Sequence, residues 1–216
     1  MLGWTVLIGG RDADRGKKTA AEVGGQPLLL DVTDEASVVA AAASVANLDV
    51  LINNAGISLD IESVVTATGV DAFRRTYETN VFGVVAVTNA FLPALRLSAH
   101  PRIVNISSGT GSLTWSTGPN PQFDFQAART GAGAAYRSSK TALNALTVFY
   151  AQALAADGIK VNALAPGLRA TKLNTRAAAA GGDPAEAASG AVRLALLPDD
   201  GPTGLFFSWD GTIVAW

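Results

Sequence analysis

Five short apolar runs rich in β-branched residues, at 5–8, 27–31, 50–53, 102–106 and 160–164, alternate with stretches of helical spacing at 14–23, 34–46, 71–97 and 134–156. No other feature constrains the fold as much. Each run ends in Gly, Asp, Asn, Ser or Pro, as fully buried strands do. Strand and helix in alternation, joined by right-handed crossovers, give a parallel sheet covered by helices on both faces. A last helical pattern at 184–197 leads to a final strand at 205–207. With 216 residues and about 100 to 200 residues per domain, one domain over 1–216 is expected. The segment 109–133 breaks the rhythm: Gly, Thr, Pro and Asn surround Trp115, Phe123 and Phe125 without a regular period. It reads as a long loop insertion, with the three aromatics as candidates for an apolar substrate wall or for packing. The run 177–182 reads as a flexible or helical connection.

Composition excludes several functions. Sixteen basic against eighteen acidic residues leave a net charge of −2, which attracts neither phosphate backbones nor anionic lipid. Cysteine is absent and histidine occurs once, at His100, so thiolate chemistry is impossible and a His-based metal centre is not expected. His100 precedes a strand and reads as a loop residue. Mean hydropathy is +0.27, yet Asp, Asn, Gly or Pro interrupts every apolar stretch well short of the roughly 18 residues of a membrane span. The first residues carry no basic segment and no small-residue cleavage site, so no signal peptide is expected and the cytoplasm is the default compartment.

Tyr136 and Lys140 stand four apart at the start of a helical stretch, which puts them on one face about 5 to 6 Å apart at Cβ. A free phenol has a pKa of about 10 and exchanges protons poorly at neutral pH unless a cation favours its anion. Bringing it within reach of pH 7 takes about 3 to 4 kcal/mol, which a nearby ammonium in a partly dry site can supply. Alone the pair is as consistent with a helix surface. Other motifs change that weighting. Asp31-Val32-Thr33-Asp34, Asn53-Asn54-Ala55-Gly56, the Ser107-Ser108 pair after 102–106, and Val161-Asn162-Ala163-Leu164-Ala165-Pro166-Gly167 with Thr171 each lie at the carboxyl end of a strand. Ligands bind at that edge of an open parallel sheet.

Together with Asn80 in the long helical stretch, this ordered set resembles the short-chain dehydrogenase/reductase family from residue 5 to about residue 171. The resemblance implies a Rossmann-like, doubly wound parallel α/β sheet in a single domain. It also implies hydride transfer between a nicotinamide cofactor and a small carbonyl or alcohol substrate. By matching position, Tyr136 exchanges the proton with the substrate oxygen and Ser108 hydrogen-bonds that oxygen. Lys140 lowers the Tyr136 pKa and reaches the cofactor ribose, and Asn80 anchors a water leading to Lys140. Ser107 reads as a strand-end or capping residue. Arg11, just past the first strand, matches a residue that accommodates a 2′-phosphate, which favours NADP over NAD. Asp31 with Val32 matches the adenine contact, Asn54, Ala55 and Gly56 the adenosine-side wall, and Pro166, Gly167 and Thr171 the nicotinamide side. Related proteins pair through the helices near residues 71 and 134, and the insertion before Tyr136 can cover that face, so a monomer or a homodimer is expected.

One part of the family pattern is missing. Members begin with a strand, a Thr-Gly-x-x-x-Gly-x-Gly turn and a helix that receives the pyrophosphate. Gly9, Gly10 and Gly16 do not have that spacing, and Arg11 with Asp31 to Asp34 fits the second and third strands instead. The resemblance therefore implies that a first βα unit of roughly 30 residues is missing. Two consequences are expected. The strands flanking the missing one either face a gap or pair directly. Losing two or three charged hydrogen bonds to the pyrophosphate removes about 3 to 9 kcal/mol, against about 8 kcal/mol for a whole micromolar site. A non-catalytic remnant kept for structure or oligomer contact is the alternative reading.

Overall fold

A computed structural model describes residues 3–120, 129–171, 173 and 182–216. In chain order the elements are β1 (Leu7–Gly10), α1 (Ala13–Val23), β2 (Gln26–Leu29), α2 (Glu35–Ala43), β3 (Val50–Asn53), α3 (Val70–Tyr77), α4 (Gly83–Leu95), β4 (Arg102–Ile106), α5 (Leu113–Thr117), α6 (Ala134–Ala153), β5 (Lys160–Ala165), α7 (Pro184–Ala195) and β6 (Phe206–Ser208). Helix starts follow local chemistry. Asp12 accepts the Arg15 N–H, Asp34 those of Ala36 and Ser37, and Asp183 that of Ala185 with Pro184 in the first turn, each side chain satisfying amides that have no intrahelical partner.

All strand pairs are parallel, and on the central strand β4 neighbouring residues feed opposite helix layers. On β4, Ile103 packs with Leu95, Ala151 and Leu154 of the α4–α6 side, while Val104 packs with Ala191 and Leu194 of α7. This is the doubly wound arrangement. Its sheet, however, is in two pieces: β1–β2 form one and β3–β4–β5–β6 the other. The gap expected between flanking strands is thus realised as two sheets rather than as direct pairing. Helices hold the pieces together, because Val38 and Ala41 of α2 join Val87 and Phe91 of α4 in one cluster against Leu28 and Leu30 on one piece and Leu51 on the other. On the opposite face the strip beside β3 is open, and Ile52 is 41% exposed.

Two expectations need correction. The helical stretch 71–97 is interrupted by a five-residue π turn, Glu78–Phe82, between α3 and α4. The stretch 109–133 is not a loop throughout. A 3-10 turn, Gly109–Gly111, leads to α5, whose Ser112 accepts the Trp115 N–H. Trp115 is buried with Ala163, Ala165, Phe206 and Val214, so it belongs to the core and not to a substrate wall. Phe123, Phe125 and most of 177–182 lie outside the described residues. No described helix is long and apolar enough to cross a membrane.

Candidate active site

Parallel strands bring their carboxyl ends to one rim, and the expected residues follow those ends. Arg11 stands directly after β1, Asp31 and Val32 just past β2, Asn54 to Gly56 after β3, Ser107 and Ser108 after β4, and Pro166 and Gly167 after β5. The two sheet pieces meet behind this rim at Gly83, where a Cβ would lie 2.9 Å from the Val32 carbonyl oxygen. Only a residue without a side chain permits α4 to start so near β2's outgoing chain.

Four of the expected side chains converge. Tyr136 and Lys140 lie on the first turns of α6, and the Ser108 hydroxyl lies near enough to the Tyr136 phenol to act on its titration. Ser108 exchanges a 2.8 Å hydrogen bond with the Thr110 hydroxyl. The Lys140 ammonium lies 5.8 Å from the centre of the Tyr136 ring and donates to the Ile106 carbonyl at 2.8 Å. Asn80, fully buried in the π turn, accepts from the Ile57 N–H and donates to the Ile57 carbonyl, both at 2.9 Å, and donates to the Ser139 hydroxyl at 3.0 Å. π turns recur at functional sites because the extra residue re-aims a side chain. Gly56 closes the group: a Cβ there would be 3.5 Å from Asn80 Oδ1 and 3.6 Å from Lys140 Nζ. Ser107 instead bonds Asn144 and the Lys140 carbonyl, as a strand-end residue should.

The other expected residues line the rim without touching this group. Arg11, Asn54, Ala55 and Thr171 are exposed. Asp31 is held in place by the Thr33 N–H and hydroxyl at 3.0 and 2.7 Å, which keep its carboxyl below the usual range. The reading of His100 as a loop residue is incomplete, since its ring meets Asp199, which also takes a 2.6 Å bond from buried Arg102.

The electrostatics correct one expectation. Burial pushes the Tyr136 phenol above its ordinary value, and the nearby Ser108 hydroxyl only partly opposes this. Burial also lowers the Lys140 ammonium to about 8. The protein environment thus keeps the phenol protonated at neutral pH, rather than bringing it down towards pH 7. Desolvation disfavours the phenolate, and the ammonium is committed to the Ile106 carbonyl. At pH 7 the site holds a neutral O–H donor with a cation behind its ring. Among the described residues no cluster of three metal-ligating side chains occurs.

Two residues at this rim escaped the sequence reading. Arg169 pins the turn after β5, donating to the Pro166 carbonyl and to Glu186 of α7, both at 2.7 Å, and stacking 4.4 Å from the Trp209 ring. Asp60 lies beneath the start of α6. The partners that tie them to other elements, Glu186 and Trp209 for Arg169 and the start of α6 for Asp60, are distant in sequence, so no local spacing marks them.

A family profile described as "Enoyl-(Acyl carrier protein) reductase" matches residues 2–195. Short-chain dehydrogenase anuI of Penicillium roqueforti is 38% identical over 147 residues, covering 65% of this chain and 56% of that protein. The chain thus spans little more than half the length of that relative. (+)-Neomenthol dehydrogenase of Arabidopsis thaliana is 32% identical, with 95% of this chain and 88% of that protein covered. Among solved structures, the NADPH-bound carbonyl reductase from chicken fatty liver superposes with a TM-score of 0.77 at 29% identity, covering 98% of this chain and 88% of that one.

Proposed function

The chain belongs to the short-chain dehydrogenase/reductase family, and on that premise we propose that it is an oxidoreductase reducing a small carbonyl compound, or oxidising the corresponding alcohol, with NADP(H). The observation that carries this reading is the Tyr136 phenol, placed beside the Ser108 hydroxyl and backed by the Lys140 ammonium at the ligand-bearing rim.

In the reductive direction the Tyr136 O–H gives its proton to the substrate oxygen as negative charge develops there, a step that general acids accelerate by about 10²- to 10⁴-fold. Ser108 donates a hydrogen bond to the same oxygen and so stabilises the charge before the proton arrives. The phenolate left behind is offset by the Lys140 ammonium, while Asn80 fixes the β3–α3 connection beside it. In the oxidative direction the same groups act in reverse. NADPH, when bound, supplies the hydride and NADP accepts it.

The residues present fit this cofactor in part. Gly56, whose missing Cβ leaves the backbone free beside Lys140 Nζ, suits the ribose side, and Pro166, Gly167 and Thr171 the nicotinamide side. Asp31 and Val32 suit the adenine. Arg11 is a cation free to meet a 2′-phosphate, and the NADPH in the similar chicken enzyme supports the same choice. Gly9 and Gly10 lie in β1 and Gly16 in α1, so they form no phosphate-gripping turn. The test is a thermal melt with millimolar NADPH, followed by NADPH oxidation against a panel of aldehydes and ketones. A rise in melting temperature and carbonyl-dependent oxidation support the proposal; neither appearing refutes it.

A further inference from the structure

Helix α6 begins without a side chain of its own to hold its first turn. Its cap, Gly133, has φ +71° and no side chain, and residues 134 and 135 are alanines. The amides of a first helical turn have no intrahelical partner and need one from elsewhere. That partner is Asp60, in the connection between β3 and α3, 75 residues away from Ala135. Its carboxylate accepts the Ala135 N–H at 2.6 Å and the Tyr136 N–H at 3.3 Å, and its own carbonyl accepts the Gly133 N–H at 3.1 Å. Asp60 is 2% exposed.

The same connection is fixed at its other end. Asn80 grips Ile57 by both N–H and C=O, and Gly56 lies against Lys140. Further along, Val64 forms an antiparallel bridge with Ala132, and the Val65 N–H donates to the Gly131 carbonyl. The segment 56–65 is thus one strap, held at Asn80 and fastened to the chain entering α6. Within it the Asp60 carboxylate meets the helix at the backbone of Tyr136 and of the residue before it. A buried carboxylate in this place also meets the positive end of a twenty-residue helix, where anions are favoured.

We propose that Asp60 is a positioning residue: it fixes the start of α6 so that the Tyr136 phenol stays beside the Ser108 hydroxyl and the Lys140 ammonium. This rests on the reading of Tyr136 as proton donor. The consequence differs from ordinary helix capping, because loss of the carboxylate displaces one named phenol while the rest of α6 stays docked through Leu143, Thr147 and Ala151, all buried.

The test is carbon-13 NMR of the full chain with tyrosine labelled at Cζ. Three signals arise, from Tyr77, Tyr136 and Tyr150, and Tyr136→Phe assigns the one of interest. Asp60→Ala is expected to move or broaden the Tyr136 signal alone, with Ala135 and Tyr136 amide exchange faster by at least tenfold. Asp60→Asn, which keeps one acceptor oxygen, is expected to fall between the parent and Asp60→Ala. Should Asp60→Ala fail to fold, Asp60→Asn decides by the same two measurements. An unchanged Tyr136 signal, or equal movement of all three tyrosines in a folded variant, overturns the proposal. In a parent that turns over carbonyls, kcat is expected to drop 10- to 100-fold with KM unchanged. A Tyr136 signal that responds in a chain never oxidising NADPH counts against the reductase reading and for the Asp60 anchor.

Discussion

The backbone of Gly111 rests on that of Lys140: a Cβ at position 111 would sit 2.8 Å from the Lys140 carbonyl carbon and 2.9 Å from its Cβ. This contact presses the turn carrying Ser108 onto the helix carrying Tyr136, and the Thr141 hydroxyl reinforces it with a 2.9 Å bond to the Gly111 carbonyl. Gly111→Ala must therefore part the two elements. Overpacking of this kind costs about 1 to 3 kcal/mol. A lower urea midpoint is expected, together with a loss of turnover larger than the stability loss explains.

The Lys140 ammonium sets a pH limit. Its folded value, about 8, lies below its ordinary 10.5, so between these values the unfolded chain binds more protons than the folded one. Stability therefore rises with pH from about 8, until the raised phenol of Tyr136 reverses the trend above 10. A Lys140→Met variant should lack the rise. Reductive turnover should fall above pH 8 as the cation behind Tyr136 is lost, which a pH–rate profile set beside pH-dependent urea melts will show.

On the proposed reading, Arg11 meets the 2′-phosphate of the cofactor. One charge-assisted hydrogen bond is worth about 1.5 kcal/mol or more, which is roughly tenfold in affinity. Arg11→Asp should weaken NADPH by that factor or more and leave NADH equal or improved. Isothermal titration with both nucleotides measures it.

The β1–β2 piece depends on packing rather than strand pairing for its attachment. Phe91 lies at the centre of the cluster that joins it to β3 through α2 and α4. Phe91→Ala should cost about 3 to 5 kcal/mol and expose the amides of β1 and β2 to hydrogen exchange before those of β4 and β5.

The strands were legible because residues such as Ile103, Val104 and Val161 are β-branched and buried on both sides, so their runs are continuous. The helix at 71–97 was legible as one element, but the π turn at Asn80 was not: one extra residue in a turn leaves the apolar spacing nearly unchanged. Spacing placed Tyr136 above Lys140 yet carried no information on burial, and burial decides the direction of the phenol's pKa. Asp60 reaches the backbone of α6, and Arg169 reaches Glu186 and the Trp209 ring, all distant in sequence. That the glycines at 9, 10 and 16 do not have the glycine-rich spacing was legible, but the division into a β1–β2 piece and a β3–β4–β5–β6 piece depends on pairings that no local spacing encodes.

The most direct test compares the 216-residue chain with Tyr136→Phe, following NADPH oxidation in the presence of an aldehyde or ketone that the parent reduces. Removing one hydroxyl beside Ser108 should lower kcat at least 100-fold, in the range expected for loss of a general acid, while the melting temperature and NADPH affinity stay near those of the parent. Equal turnover by the two proteins would contradict the assignment of Tyr136 as the proton donor.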